Sequence, residues 1–139
     1  EPSWQRLVDV AWECLKVGEK VCSEPYVFVG DVGNAIQKHA HANGFSVVRD
    51  LCGHGVGCHF HEEPEVEHYG HKGTGMLLVP GMTFTIEPMI NMGTWQVRVL
   101  DDDWTFVTRD GSPSAHYENT VVITDDIPEI LTLRKDLGK

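Results

Sequence analysis

The sequence predicts an α+β domain in which two helices precede a mostly antiparallel sheet. Apolar residues recur at helical spacing near the N-terminus. From Phe45 onward, β-branched and aromatic residues form short runs that Gly and Pro separate. Helices that are followed by strands, rather than alternating with them, are typical of an α+β layer. The 139 residues, 41% hydrophobic and 23% charged, suffice for one domain over residues 1–139.

Two helices open the chain. The first is predicted to begin at Pro2 and to end near Gly18 or one turn later. The second follows the break at residues 23–25, with Asp31 as its N-cap and Gly44 as its left-handed stop. Both carry apolar residues at the spacing of an amphipathic helix. These residues are Trp4, Leu7, Val8, Ala11 and Leu15 in the first helix and Val32, Ala35, Ile36 and Ala40 in the second.

Five strands are predicted after the helices, over residues 46–51, 82–90, 95–100, 104–108 and 114–124. Turns are expected at residues 80–81 and 110–111, where Pro-Gly and Asp-Gly pairs occur. The acidic run at residues 101–103 is expected in a hairpin loop. A solvated charge run is far commoner in such a loop than a metal site.

The charge balance bears on the class of partner. With 11 basic and 21 acidic residues, the formal net charge is -10, so a nucleic-acid backbone would be repelled. No apolar run approaches the roughly 20 residues that cross a bilayer, and no basic stretch leads into an apolar signal core. We therefore expect a soluble intracellular protein that binds neither nucleic acid nor membrane.

The four cysteines show no C-x-x-C spacing and are too few to indicate a disulfide framework in a chain of this length. They are interpreted as reduced thiols. Cys52 and Cys58 flank a Gly- and His-rich segment and are alternative metal ligands, although small buried hydrophobes are the commoner case.

Residues 52–64 bring together three histidines and three glycines. Gly53 and Gly55 on either side of His54 allow the backbone to run close to another group, as a site with an inward-pointing imidazole requires. The alternative is a Gly-rich hairpin with exposed histidines, and the sequence alone favours neither.

Two glutamates, Glu87 and Glu118, lie in segments predicted as strands, where glutamate is depleted. Alternation places Glu87 on the same face as Thr83 and Thr85. Taken singly, such a glutamate is usually on the solvated face of an antiparallel sheet. Together with His54, the two carboxylates form a ligand set suited to a divalent ion, and metal-assisted hydrolysis is the reaction class that it favours.

Three ordered motifs, at residues 53–64, 80–89 and 114–120, resemble those of the type I methionine aminopeptidases. The resemblance covers essentially the whole chain. That family has the pita-bread fold, in which two pseudo-symmetric α/β halves enclose two divalent ions held by two Asp, one His and two Glu. The resemblance therefore implies that the chain is the C-terminal half of such a catalytic domain, with two helices followed by a curved, mostly antiparallel sheet.

The resemblance also implies roles for particular residues. His54, Glu87 and Glu118 match metal ligands, with Glu118 in the place of a bridging carboxylate. The complete site would hold two divalent ions, such as Co, Mn, Fe or Zn. His61 matches the histidine that hydrogen-bonds the scissile amide, and Glu87 is the implied proton shuttle. The positions that match the pocket for the methionine side chain are Phe60, Met89 and Trp104. Core packing is the alternative for these three.

The implied reaction is removal of N-terminal methionine from nascent proteins and peptides in the cytoplasm. The two Asp ligands of the family precede the region that residues 1–3 resemble. We therefore expect one ion or none to bind to this chain alone. We also expect a separate N-terminal half or self-association to complete the site, because apolar surface and a sheet edge would otherwise be exposed. His116 stands where many relatives carry Gln.

Other functions fit these motifs less well. Proline-specific peptidases of the same fold usually continue the Glu-Pro motif with Gly, whereas Met89 follows Pro88 here, which favours methionine specificity. A non-catalytic binding module would explain the missing aspartates but not the retained ligands, and an incomplete, inactive fragment is a further alternative. A purely structural protein would leave the strand carboxylates unexplained.

Overall fold

The computed structural model describes residues 2–133. Helices α1 and α2 span Pro2–Val21 and Val29–Ala42. Ten short strands follow: β1 Ser46–Val47, β2 Gly53–Gly55, β3 Glu62–Val66, β4 Thr83–Ile86, β5 Met89–Asn91, β6 Val97–Val99, β7 Phe106–Thr108, β8 Ser114–His116, β9 Asn119–Val122 and β10 Glu129–Ile130.

The strands form three antiparallel sheets. A five-stranded sheet has the order β10-β9-β4-β2-β3, a three-stranded sheet has the order β1-β5-β8, and β6 pairs with β7 alone. All strand pairs within the described residues are antiparallel. The prediction of two helices followed by antiparallel strands is therefore confirmed.

Both helices pack against the sheets through most of their predicted apolar residues, but Trp4 in the first turn of α1 is 54% exposed, so the prediction was wrong for that residue. Helix α1 contacts α2 and strands β4, β5 and β8. The core that they enclose contains Leu7, Leu15, Ile36, Phe84 and Ile86, all at most 2% exposed. None of the helices described over residues 2–133 is long and apolar enough to cross a membrane.

The start of α2 differs from the prediction. The N-cap is Phe28, and Asp31 lies three residues later, inside the first turn. Its Oδ2 accepts a hydrogen bond from the Phe28 amide at 2.8 Å, so Asp31 still satisfies a free amide at the helix start. The other end is as predicted, because Gly44 has φ +78° just beyond the helix.

The prediction of single long strands over residues 82–90 and 114–124 was wrong, because each segment forms two shorter strands. Residues 82–90 form β4 and β5, and residues 114–124 form β8 and β9. Each first half belongs to a different sheet from its second half. Pro88 has no amide hydrogen to donate to a strand partner and lies at the first break. Glu87 and Glu118 therefore lie in the breaks and not inside strands.

The remaining differences concern short strands. Segments 46–51, 95–100 and 104–108 are strands over only two or three residues each. Strands β2, β3 and β10 were not predicted, because β2 is two-thirds glycine and β3 contains Pro64 and three glutamates. Gly81 and Asp110 lie in turns, as predicted, and the acidic run at residues 101–103 is exposed between β6 and β7.

The four cysteines are free thiols. Burial raises the pKa of Cys14 and of Cys22 to about 12, with smaller contributions from the charges of Glu13 and Glu19. Cys58 is exposed.

We expect a single thiol to react rapidly with Ellman's reagent at pH 8 in the folded protein. The reactive species is the thiolate, which two thiols of pKa about 12 do not form appreciably at that pH. Burial also raises the pKa of Cys52, which is only partly exposed, so Cys58 is the remaining thiol. Cys58→Ser should remove the rapid phase, whereas Cys14→Ser should leave it unchanged. Rapid modification of two or more thiols in the folded wild type would contradict this expectation.

Candidate metal centre

The register of the strands brings the two strand breaks together. In the five-stranded sheet Ile86 is paired with Asn119, and in the three-stranded sheet Met89 is paired with His116. Residues 87–88 therefore lie opposite residues 117–118 where the chain passes from one sheet to the other. This pairing brings the carboxylates of Glu87 and Glu118 close to each other.

Strand β2 brings His54 to these carboxylates through two close backbone contacts. A Cβ on Gly53 would overlap the carbonyl oxygen of Thr85, and a Cβ on Gly55 would overlap that of Glu63. Strand β2 is thus pressed between β4 and β3 with no room for side chains beside His54. The predicted reason for the flanking glycines, close approach of the backbone, is confirmed.

A Gly55→Ala substitution is expected to destabilise the fold by about 2 kcal/mol, since its Cβ meets rigid backbone. Gly44→Ala is the matched comparison, because Gly44 has open space around it and only its positive φ opposes a side chain. That strain costs about 1 kcal/mol. Urea unfolding of both variants measures the difference. If Gly55→Ala and Gly44→Ala lower the free energy of unfolding equally, β2 must move away from Glu63 to make room for the new Cβ.

Three side chains could hold a metal ion here. Ligand atoms of His54, Glu87 and Glu118 all lie within 4.8 Å of one another. His54 Nδ1 is 2.9 Å from the Gly55 carbonyl oxygen, which can only accept a hydrogen bond. Nδ1 must then carry the proton, and Nε2 keeps its lone pair for a ligand. One such nitrogen and two carboxylates suit a borderline divalent ion.

The surroundings of Glu87 also fit a bound cation. Its Oε1 accepts a hydrogen bond from Thr85 Oγ1 at 2.8 Å and lies 3.7 Å from His54 Nε2. Burial raises the pKa of the Glu87 carboxyl, and the nearby Glu118 charge raises it further, although the Thr85 hydrogen bond opposes them. A divalent ion between the two carboxylates would offset both unfavourable effects.

Two other histidines meet Glu87. His116 Nε2 lies 3.7 Å from Glu87 Oε2, the carboxylate oxygen that His54 does not approach. The sequence shows this histidine only as a departure from relatives, because its distance to Glu87 depends on the β5–β8 register. His68 is fully buried, and its Nε2 accepts a hydrogen bond from the Glu87 amide at 3.0 Å. No sequence signal pointed to His68.

The residues that the resemblance assigns to substrate lie around the same site. An open cavity of about 1360 Å³ is lined by the ligand group together with Phe60, His61, Met89 and Trp104. The His61 ring is 4.2 Å from the His54 ring and 4.6 Å from the Phe60 ring, centroid to centroid. Phe60 is 73% exposed and Trp104 is 84% exposed. The alternative of simple core packing is therefore wrong for these two aromatic residues.

The other sequence candidates lie apart from the ligand group. Cys52 lines the cavity, but Cys58 is exposed on the β2–β3 loop. Within residues 2–133, His54, Glu87 and Glu118 are the group of His, Cys, Asp or Glu side chains close enough to hold an ion. The interpretation of residues 101–103 as a solvated loop agrees with this result.

Comparisons with known proteins give the family. The model of metallopeptidase family M24 matches residues 1–125. Methionine aminopeptidase A of Synechocystis sp. is 53% identical over 132 residues, which are 95% of this chain and 52% of that protein. The crystal structure of methionine aminopeptidase from Thermotoga maritima has a TM-score of 0.92 and 45% identity, and it covers 96% of this chain and 53% of that chain.

A more distant likeness concerns the fold alone. Prolidase from Pyrococcus furiosus has a TM-score of 0.67 at 22% identity, over 94% of this chain and 32% of that chain. The chain spans about half the length of the curated relatives it matches. The structural matches confirm the pita-bread fold that the resemblance implied. With 125 of its residues matched by the family model, the chain belongs to metallopeptidase family M24.

Proposed function

We propose that this chain supplies the His–Glu–Glu part of a metal-dependent aminopeptidase site that removes methionine from the N-termini of nascent proteins and peptides in the cytoplasm. One observation carries the proposal. Three ligand atoms from separate strands or strand breaks converge within 4.8 Å, inside a fold of the M24 family. The identities of about half to methionine aminopeptidases support methionine over proline specificity.

His54, Glu87 and Glu118 are the proposed ligands for Co, Mn, Fe or Zn. A complete site would hold two ions, and the three ligands of this chain suit one. A bound divalent cation would supply the Lewis acidity for peptide hydrolysis, as in the two-metal sites of aminopeptidases.

Glu87 is the proposed proton carrier. Its Oε1 is occupied by the Thr85 hydroxyl, which leaves Oε2 on the side of His116 to receive or return a proton. Glu87 also lines the open cavity, where a bound peptide could reach its carboxylate. These features support the shuttle role that the resemblance implied.

His61 is proposed to orient the scissile amide, and the cavity wall to receive the methionine side chain. His61 packs against the ligand His54 and is exposed to the cavity, so its ring can reach a peptide bound beside the ions. Phe60, Met89 and Trp104 line the same cavity. A thioether side chain contacts aromatic rings favourably, which suits this wall.

We further propose that a second polypeptide segment covers the cavity, either a separate N-terminal half or another copy of this chain. The chain spans about half the length of its relatives, and the large exposed areas of Phe60 and Trp104 face an open cavity. Exposed aromatic surface of this kind favours association. Sedimentation velocity tests the point, since a strictly monomeric and well-folded chain would contradict self-association.

The activity test uses the peptide Met-Ala-Ser with added Mn²⁺ or Co²⁺ and measures free methionine. Glu118→Ala controls for contaminating peptidase, and the dipeptide Ala-Pro tests the proline-specific alternative. Methionine release that the variant lacks would support the proposal. A folded chain that binds Mn²⁺ without releasing methionine would make it an incomplete half-site. A folded chain that binds no divalent ion would contradict the proposal.

A further inference from the structure

Helix α1 presents one face to the two residues that flank Glu118. This face carries Trp12, Lys16 and Glu19, which are spaced at i, i+4 and i+7 and so lie on the same side of the helix. Glu118 itself lies between β8 and β9 and has an exposed side chain. Its backbone is therefore outside both strands, and its orientation depends on what holds its neighbours.

On the C-terminal side of Glu118, the neighbour is held by a buried carboxylate. Glu19 is only 6% exposed, and its Oε1 accepts a hydrogen bond from Asn119 Nδ2 at 2.7 Å. Its Oε2 pairs with Lys16 Nζ at 2.8 Å. A carboxylate is rarely buried in a helix unless such partners compensate for its lost hydration. Nothing in the proposed chemistry uses Glu19.

The hydrogen bonds continue along β9. Asn119 Oδ1 accepts from Thr132 Oγ1 at 2.8 Å, and Thr132 Oγ1 accepts from the Thr120 amide at 3.0 Å. Asn119 therefore has both ends of its side-chain amide occupied, one by α1 and one by the segment after β10. Its side chain has one orientation that satisfies both partners.

On the N-terminal side of Glu118, the same helix face holds Tyr117. The rings of Trp12 and Tyr117 meet edge to face, with centroids 5.3 Å apart. Lys16 Nζ lies 4.5 Å from the centroid of the Trp12 ring and also pairs with the Glu19 carboxylate. Lys16 therefore contacts both residues of α1 that hold the neighbours of Glu118. Both neighbours of Glu118 are thus fixed to α1.

We propose that Glu19 is a positioning residue for the ligand Glu118, acting through Asn119. This inference rests on the proposed metal-binding role of Glu118. Glu118 lies in a strand break, so fixing Asn119 reduces the ordering that the ligand must undergo when an ion binds. Residues that orient metal ligands from outside the coordination sphere typically change metal affinity by 10- to 100-fold when they are removed.

The test measures the Mn²⁺ dissociation constant of the 139-residue chain by calorimetric titration. Glu19→Leu removes the acceptor, and we expect about tenfold weaker binding. Glu19→Gln retains an oxygen that accepts from Asn119 and should bind Mn²⁺ within about twofold of the wild type. Glu13→Leu is the matched control, because Glu13 lies on the same helix and pairs with Arg6 and His39 instead. Equal affinities of Glu19→Leu and Glu13→Leu would overturn the proposal.

A second measurement separates this proposal from the proposed function. Amide hydrogen exchange of residues 118–120, followed by NMR in EDTA, should be faster in Glu19→Leu than in Glu13→Leu. If the wild type binds no Mn²⁺, the proposed metal role of Glu118 is wrong. If residues 118–120 exchange at the same rate in Glu19→Leu and Glu13→Leu, the positioning role of Glu19 is wrong. If Glu19→Leu does not fold, Asn119→Ala removes the same hydrogen bond, and unaltered Mn²⁺ affinity in that variant overturns the proposal.

Discussion

Glu87→Gln is expected to weaken Mn²⁺ binding on the order of 100-fold or more, more than the loss of a residue outside the coordination sphere. Glu87 lies between His54 and His116, 3.7 Å from each, and its carboxylate is one of three proposed ligands. Gln keeps the size of the side chain and can still accept the Thr85 hydrogen bond, but it removes the negative charge. The fold should persist while the site loses its affinity.

Calorimetric titration with Mn²⁺ measures this loss, and Glu65→Gln is the matched control. Glu65 is an exposed carboxylate that is paired with His54 in the β2–β3 register and lines the same cavity, but it is outside the ligand group. Its loss should change the affinity by less than about threefold, because exposed charges interact weakly in water. Similar losses in both variants would mean that the cavity attracts cations by its general charge.

Thermal unfolding gives an independent measurement of the same binding. An ion that binds only the folded state stabilises it by about 2.7 kcal/mol at 100 times its dissociation constant. Mn²⁺ should therefore raise the melting temperature of the wild type and of Glu65→Gln. At the same Mn²⁺ concentration, Glu87→Gln should show little or no rise.

The sequence predicted the ligand group because its signals are local. Gly53 and Gly55 beside His54 pointed to close backbone approach, and they lie against the Glu63 and Thr85 carbonyls. The alternation along residues 82–90 placed Thr85 and Glu87 on one face, and the two side chains are hydrogen-bonded there. Side chains repeat every two residues along a strand and about every 3.6 residues along a helix. Both patterns involve residues close together in the sequence, so they can be recognised without knowing the fold.

The parts that could not be predicted depend on pairing between distant segments. The breaks at Glu87 and Glu118 arise because each strand changes sheets, and neither break has a strong local signal apart from Pro88. The contact of His116 with Glu87 requires the β5–β8 register. The hydrogen bond from Asn119 to Glu19 spans 100 residues of chain. Strand register is fixed by the whole core and not by any one segment.

His68 should make the fold markedly sensitive to acid. Burial, together with a smaller contribution from the nearby His116, lowers the pKa of this histidine from 6.5 to about 3. In the unfolded chain the ring takes up a proton near its ordinary pKa, whereas in the folded protein it stays neutral until about pH 3. The stability that the neutral ring contributes is therefore complete above pH 6.5 and is lost as the pH falls toward 3.

The free energy of unfolding is expected to fall by about 1.4 kcal/mol for each pH unit below about 6. This is the slope for one proton that only the unfolded state binds. Urea unfolding in EDTA between pH 4 and 7 measures this slope. His68→Gln keeps an oxygen that can accept the Glu87 amide but removes the titrating ring, so its slope should be smaller by about that amount. His41→Gln is the control, because His41 is exposed at the end of α2. Parallel curves for the wild type and His68→Gln would show that folding does not lower the pKa of His68, which would contradict this expectation.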